Sequence, residues 1–326
     1  MRMRAMGRKS FMGRDSDFEA RLFRSLEKNK QQFYKMTTLR DNVFIIYTNR
    51  NKYLLKGFDN PEKLNAQKLL TKKLKEEGFS QTYEFVDYLS DFRSNGVTYS
   101  WIEYLKPNRE KFSFSKRYWR EEGLNLLENY HKATSSFKEE IQVDYFNQLK
   151  KWEDRFNKFH RNTHKVNRLV SNKHIDMWLK WGDYALNGVR KYEQQLYEEP
   201  LVITHGDVAH HNFFHKKDGS LFLIDFDLIS KAPPIMDYLQ YANRIMPNLE
   251  NSEELWTYQQ INQYKNNKAF LYALVFPTDI FREWNRIIKE SATDDTSYLY
   301  SVQRLTIKER KHRMAMYNEI IDLLKN

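Results

Sequence analysis

From Asp15 to Tyr34 the apolar residues Phe18, Leu22, Phe23 and Leu26 recur at helical spacing, with Asp15 or Ser16 placed to cap the helix. The rhythm then shortens. FYKMTTL, VFIIYT and KYLLKGF are three β-rich runs, separated by tight turns at 40–42 and 49–51. After Asn60-Pro61 the stretch EKLNAQKLLTKKLKEE predicts a helix that ends at Gly78, the residue type that closes many helices. Two further strands are expected, TYEFVDYL and VTYSWIEYL, around a turn containing Asn95-Gly96. Three strands, a helix and two strands make a small, mostly antiparallel α+β lobe, with a natural boundary at KPNRE, 106–110.

Past that boundary the period becomes helical. Trp119, Leu126, Leu127 and Tyr130 mark one helix, and Phe146, Leu149, Trp152, Phe156 and Phe159 mark another. Ile175, Trp178, Trp181, Tyr184, Val189 and Tyr192 mark a third. These large aromatic stripes are read as core. LVITHGD and LFLIDFD then interrupt the helices as two short apolar strands joined by HHNFFHKKDGS, whose Asp218-Gly219 is a strong hairpin turn. The remaining chain returns to helix, broken at Pro233-Pro234, Pro247 and Pro277. No internal repeat or low-complexity segment interrupts the pattern.

Composition narrows the field. The 326 residues suffice for two lobes and a substantial core, and 15% aromatic residues exclude a disordered tail protein. Cysteine is absent, which excludes disulfides, thiolate zinc sites and a cysteine nucleophile, and fits a reducing cytoplasm. The net charge of +11 suits an anionic partner, but it is spread along the chain and no recognition motif accompanies it, so nucleic acid is not the expected ligand. The first fourteen residues, MRMRAMGRKSFMGR, hold five basic and no acidic side chains and lack a signal-peptide core; they read as a basic tail. No apolar run approaches the ~20 residues that cross a bilayer. Abundant Lys, Asn, Tyr, Ile and Phe hint at an AT-rich bacterial genome.

Chemistry concentrates at HGDVAHHN, 205–212, followed by IDFD at 224–227. Asp207, four residues, Asn212, twelve residues, Asp225: each polar group follows an apolar strand, where the fold can present side chains at a fixed place. Four of the nine histidines fall between 205 and 215, so zinc is one reading. His210 and His211 are adjacent, however, and point opposite ways on an extended segment, and no HxxxH or HExxH accompanies them. Phosphoryl transfer uses these residue types directly: a carboxylate to orient a hydroxyl and accept its proton, and an amide oxygen with a second carboxylate to hold Mg²⁺. A polar hairpin with Asp207 and Asn212 capping turns is the plainer alternative.

The order and spacing of HGDxxxxN and IDF resemble the catalytic and metal-binding loops of the protein-kinase-like fold, in its aminoglycoside phosphotransferase and choline kinase group. The resemblance covers most of the chain. It implies an α+β, bilobal architecture: a basic tail over 1–14, a nucleotide-binding N-lobe over 15–105, and a helical C-lobe over 106–326 carrying both loops and the acceptor site. It further implies an ATP- and Mg²⁺-dependent kinase of a small-molecule hydroxyl. Asp207 would be the base, and Asn212 and Asp225 the metal ligands. YLLKGF places Lys56 on the phosphates, and SWIEYL places the backbone around Glu103 and Leu105 at adenine. PPIMDYL makes Asp237 an organiser of the catalytic loop, and His131 a packing or hydrogen-bonding residue.

Within that group YTNRNKYLLK, ENYHKATSSF, KWEDRFNKF and DFDLISKAPPIMDYLQYANRIM resemble the spore-coat CotS type of endospore-forming bacteria. That branch implies sporulation, possible spore-coat protein partners and a spore-coat location besides the cytoplasm. Two departures bear on activity. Gln67 stands where such kinases pair the strand lysine with a helix Glu; it can hydrogen-bond Lys56 but not neutralise it, with Glu62 one turn earlier as a substitute. The turn TTLRDN lacks glycine. These departures carry the alternative, a catalytically weak kinase-fold protein with a structural role in spore-coat assembly. Asp227 could assist the metal or face substrate. The insertion 137–191 is more basic than acidic, which predicts a neutral or anionic acceptor such as a sugar rather than a cationic one.

Overall fold

The computed structural model describes residues 16–290, 296–308 and 310–325; the expected basic tail and the Asp15 cap lie outside them. The described residues divide into two compact units, the first formed by those up to 112 with 132–143 and 211–227, the second by 113–131, 144–210 and those from 228 onward.

In the first unit α1 (Ser16–Glu27) precedes β1 (Phe33–Arg40), β2 (Val43–Thr48) and β3 (Lys52–Phe58). Next come α2 (Pro61–Glu76), β4 (Phe92–Ser94) and β5 (Val97–Glu103). The strands form one antiparallel sheet in the order β1-β2-β3-β5-β4. The apolar stripe of α1, Phe18, Leu22 and Leu26, is buried with Phe44, Ile46, Leu55 and Trp101. Phe18 packs edge-on against Tyr99 with ring centroids 5.0 Å apart. Asn60 caps α2 by accepting the Glu62 N–H at 2.7 Å, Pro61 opens the helix, and Gly78 turns the chain away at φ +81°.

The strand expected over 82–89 does not form. Phe85 bridges Ile102 and Val86 donates to the Trp101 carbonyl at 2.9 Å, but Leu89 N–H turns back to Val86. The chain then bends, and Ser90 uses its carbonyl to accept from Ser25 Oγ and Trp101 Nε1. Three residues at 92–94 take the ladder beside β5 instead, closed by Asn95-Gly96 with both residues at positive φ.

The remaining strands are short: β6 (Val202–Thr204), β7 (Phe213–His215), β8 (Leu221–Leu223) and β9 (Ser230–Ala232). The expected pairing of LVITHGD with LFLIDFD is corrected here. β8 pairs with β7, across the Asp218-Gly219 turn, whereas β6 pairs with β9. Two strands joined by a tight turn find each other locally; β6 reaches a strand beyond both.

The second unit is mostly helical. α3 (Arg117–Phe137) and α4 (Gln148–Arg161) carry the expected stripes, although Phe146 lies ahead of α4. Asn147 caps α4 through the Lys150 N–H at 2.8 Å. The third stripe forms the helix Asn172–Lys191, with Tyr192 as its C-cap. Its Trp178 stacks on Trp284 at 6.1 Å and meets the Phe159 ring edge-on at 6.3 Å; all three are fully buried. Gly188 is needed for close approach, since a Cβ there would lie 2.0 Å from the Tyr272 ring. No described helix is long and apolar enough to cross a membrane.

Phe281 contacts both Phe159 and Phe276, at 4.9 and 5.5 Å between centroids, and is itself fully buried. Phe281→Ala is expected to cost about 3–5 kcal/mol of stability, readable as a lower denaturant midpoint with an unchanged slope.

Candidate active site

In the second unit β6 delivers His205, Gly206 and Asp207. Gly206 sits at φ +78°, and a Cβ there would lie 2.1 Å from the Leu228 carbonyl oxygen, so the position accepts only glycine. The turn is held by Asp237, which is buried completely. Its Oδ2 accepts the His205 backbone N–H at 2.7 Å and its Oδ1 that of Gly206 at 2.9 Å. His131 Nε2 lies 2.9 Å from the same Oδ2. Burial alone would push the Asp237 carboxyl upward, yet the imidazole of His131 and the Gly206 N–H hold it below the usual range.

Asp207 Oδ1 accepts from Arg244 at 2.6 Å. Asp237 and Arg244 are seven residues apart on the helix Ile235–Ile245, two turns along one face. One helix therefore fixes both the backbone and the carboxylate of the HGD turn. The spacing carries this signal in the sequence, although periodicity alone does not single out Arg244.

In the first unit Lys56 lies on β3, its side chain only 8% exposed. Its Nζ donates to Asp225 Oδ1 at 2.9 Å and to Asp227 Oδ1 at 2.6 Å. Gln67 does not bond Lys56, as the sequence suggested it could. Its Nε2 donates to Asp227 Oδ1 at 2.9 Å, while its Oε1 accepts from the buried Tyr83 hydroxyl at 3.2 Å. The carboxylates that neutralise Lys56 thus come from Asp225 and Asp227 rather than from α2. A donor at 67 complements the Asp227 carboxylate, where a Glu would repel it. Glu62 takes no part in either of these ion pairs of Lys56.

Asp225 adopts φ +70°, an uncommon backbone region for a side chain other than glycine. Burial would raise its carboxyl, but the Lys56 ammonium and the Arg40 guanidinium, 2.8 Å from Oδ2, hold it far below the usual carboxylate range. Arg40 comes from the glycine-free turn TTLRDN, and no sequence motif marks it. The β7–β8 hairpin closes where Ile224 N–H donates to the Asn212 carbonyl at 2.9 Å, which brings buried Asn212 to the residue before Asp225. Glu103 ends β5; its N–H already donates to the Glu84 carbonyl, and its Oε1 accepts the Glu84 N–H, both at 3.0 Å. Leu105 follows, beyond the last register pair of the sheet, Tyr53 with Glu103.

The first unit thus gathers Lys56, Gln67, Asn212 and Asp225, and also holds Glu103 and Leu105; Asp207 belongs to the second. Oxygen donors on Asn212 and an anionic Asp225 suit a hard cation such as Mg²⁺. Among the described residues no three His, Asp or Glu side chains form a metal-holding group. Such an ion would rest on few protein ligands, as magnesium beside phosphates commonly does.

A kinase-like fold with these two motifs defines a class, and the sequence match names it. Residues 37–255 match the phosphotransferase enzyme family, APH, and the chain belongs to that family. Its fold is similar to that of an aminoglycoside phosphotransferase from Alicyclobacillus acidocaldarius, with TM-score 0.66 at 16% identity over 90% of this chain and 93% of that one. Wild-type aminoglycoside 2′-phosphotransferase-IIIa in complex with GDP is similar at TM-score 0.61 and 13% identity, over 90% and 98% of the two chains. Amicoumacin kinase hAmiN in complex with AMP-PNP, Ca²⁺ and Ami is similar at TM-score 0.56 and 12% identity, over 95% and 96%. No curated protein matches the chain in sequence.

Two outcomes follow. Gln67→Glu sets a second carboxyl against Asp227 and is expected to destabilise the protein by roughly 1–3 kcal/mol at neutral pH. The loss should shrink below pH about 4, where the new carboxyl is protonated; equal loss at both pH values in urea titrations would contradict the contact. Asp237 and Asp225 both have folded values below their unfolded ones. Their stabilisation is full above the unfolded value of about 3.9 and is lost as pH falls through the folded value. Stability should therefore drop on acidification below about pH 4, and less steeply in Asp237→Asn.

Proposed function

We propose that this family member is an ATP- and Mg²⁺-dependent kinase acting on a hydroxyl of a small molecule. The observation that carries the reading is the charge arrangement around Lys56. Its ammonium is buried and fixed by two carboxylates, Asp225 and Asp227, the first being the residue to which this reading gives the metal. A buried cation with two aspartates is costly to retain in a merely structural scaffold.

Lys56 would contact the nucleotide phosphates, with Gln67 holding it indirectly through Asp227. Asn212 and Asp225 would hold Mg²⁺, which supplies charge neutralisation on the phosphate oxygens. The backbone past Glu103, at Leu105, would meet adenine. Asp207 would orient the acceptor hydroxyl and take its proton, its own orientation fixed by Arg244. Among structural neighbours, nucleotide complexes with GDP and with AMP-PNP support a nucleotide at this fold.

The competing reading, a weakly active protein of the spore coat, draws on Gln67. Asp227 supplies the missing charge, so that motive weakens. A CotS-type branch, sporulation, spore-coat partners and either a cytoplasmic or a spore-coat location rest on the sequence resemblance alone.

Thermal-shift titration with ATP, with and without Mg²⁺, tests the reading. At a hundred times the dissociation constant, ligand should stabilise the protein by about 2.7 kcal/mol, and Asp225→Ala should abolish the magnesium-dependent part. Asp207→Asn should keep MgATP binding but lower kcat by about 10²–10⁴-fold. No shift at millimolar MgATP would return the structural reading to first place.

A further inference from the structure

A cavity of about 800 Å³ in the second unit is lined by Asp207 together with Lys151, Arg155, Arg244 and Arg282. Its two carboxylates are already engaged. Asp207 is bound by Arg244 at 2.6 Å. Asp279, about a quarter exposed at 27%, has both oxygens taken by Arg313, at 3.0 and 2.6 Å. What is left over is positive.

Lys151 and Arg155 are four residues apart on α4 and so share a face of the helix. Among the described residues neither makes an ion pair. Lys151 lies over the Phe146 ring at 4.8 Å, and the Arg155 guanidinium donates to the Thr278 hydroxyl and carbonyl. Arg282 pairs with its neighbour Glu283 at 2.6 Å. Burial, then the like charge of Arg282, pushes Arg155 down to about 10; burial and the charge of Arg155 lower Lys151. Cations gathered in one cavity at mutual cost are relieved by an anion. A guanidinium also offers forked donors that fit phosphate or carboxylate. An aminoglycoside, which is cationic, would add to the repulsion.

Building on the kinase reading, we infer that the acceptor is an anion: a hydroxylated small molecule bearing a phosphate or carboxylate group, held by Arg155 and Lys151 while its hydroxyl faces Asp207. The basic lining then sets specificity, because a neutral analogue leaves the two cations without a counter-ion and a cationic one is repelled.

The test uses the full chain and matched acceptors: glucose, glucose 6-phosphate, gluconate and kanamycin, each followed by thermal shift without nucleotide and by ADP release with MgATP. Binding of glucose 6-phosphate or gluconate, with little from glucose or kanamycin, is expected. The phosphate and carboxylate members separate the two anionic groups. Arg155→Gln and Lys151→Gln should each weaken anion binding, or raise KM, by about tenfold or more, the loss of one charge-assisted contact, with kcat far less affected. Melting curves establish that each variant is folded; Lys151→Gln keeps the test open if Arg155→Gln is not. Preference for kanamycin or glucose, or anion binding unaltered in both folded variants, would overturn the inference. If MgATP binds but no anion does, the inference fails while the kinase reading stands. If anions bind through Arg155 and Lys151 but MgATP does not, the pocket stands and the kinase reading fails.

Discussion

The second unit depends on a single buried carboxylate. Asp237 lies out of contact with water, where an unpaired charge would be untenable. It is stable there because two successive backbone N–H groups and one imidazole converge on it. The same convergence forces the chain through a left-handed turn at Gly206 and fixes the direction in which Asp207 leaves β6. Burial, turn geometry and site geometry are thus one constraint. The fixed partner is on a helix, so that its other end, at Arg244, can reach the Asp207 carboxylate with no additional element.

The first unit solves a different problem with the same means. A lysine emerging from the middle of a sheet must be neutralised, and the kinase resemblance points to the helix that follows the strand for the anion. Here the anion arrives from the far side of the β7–β8 hairpin, on Asp227, and the helix residue becomes a neutral donor. The glutamine at 67 and the acid at 227 are one arrangement, which explains how the fold keeps Lys56 buried and ion-paired with no carboxylate on α2.

Much of this was legible in the sequence. The helical stripes of aromatic residues and the first three strands were set by periodicity, and the α+β architecture by their order. The HGD and IDF motifs marked the residues around which the hydrogen bonds of Asp237 and the ion pairs of Lys56 gather. Other features leave no local trace. The run 82–89 alternates well enough for a strand, but Ser90 was needed to accept from Trp101 and Ser25, a tertiary demand that no local pattern records. The partner of β6 could not be read because a tight turn advertises only the pairing it closes, not the one beyond. In the sequence Gln67 points to Lys56 alone, since the third member of the cluster lies 160 residues away. Long-range charge pairs leave no periodic trace. The family fold nonetheless persists in neighbours at 12–16% identity, since apolar spacing and a few special turns are enough to specify it.

Arg40 gives the glycine-free turn between β1 and β2 a further meaning. Its guanidinium already stands on Asp225, in contact with the oxygen that Lys56 does not use. The carboxylate is therefore saturated by cations in the folded chain, and its orientation is set before any ligand arrives. An incoming cation would exchange with a tethered, solvent-exposed one rather than enter an undefended negative site. Exchange of the guanidinium for a divalent ion would add one positive charge at the carboxylate. Arg40 itself would stay in place, since its backbone is paired with Val43 in the β1–β2 register; only its side chain would be free to turn to another anion.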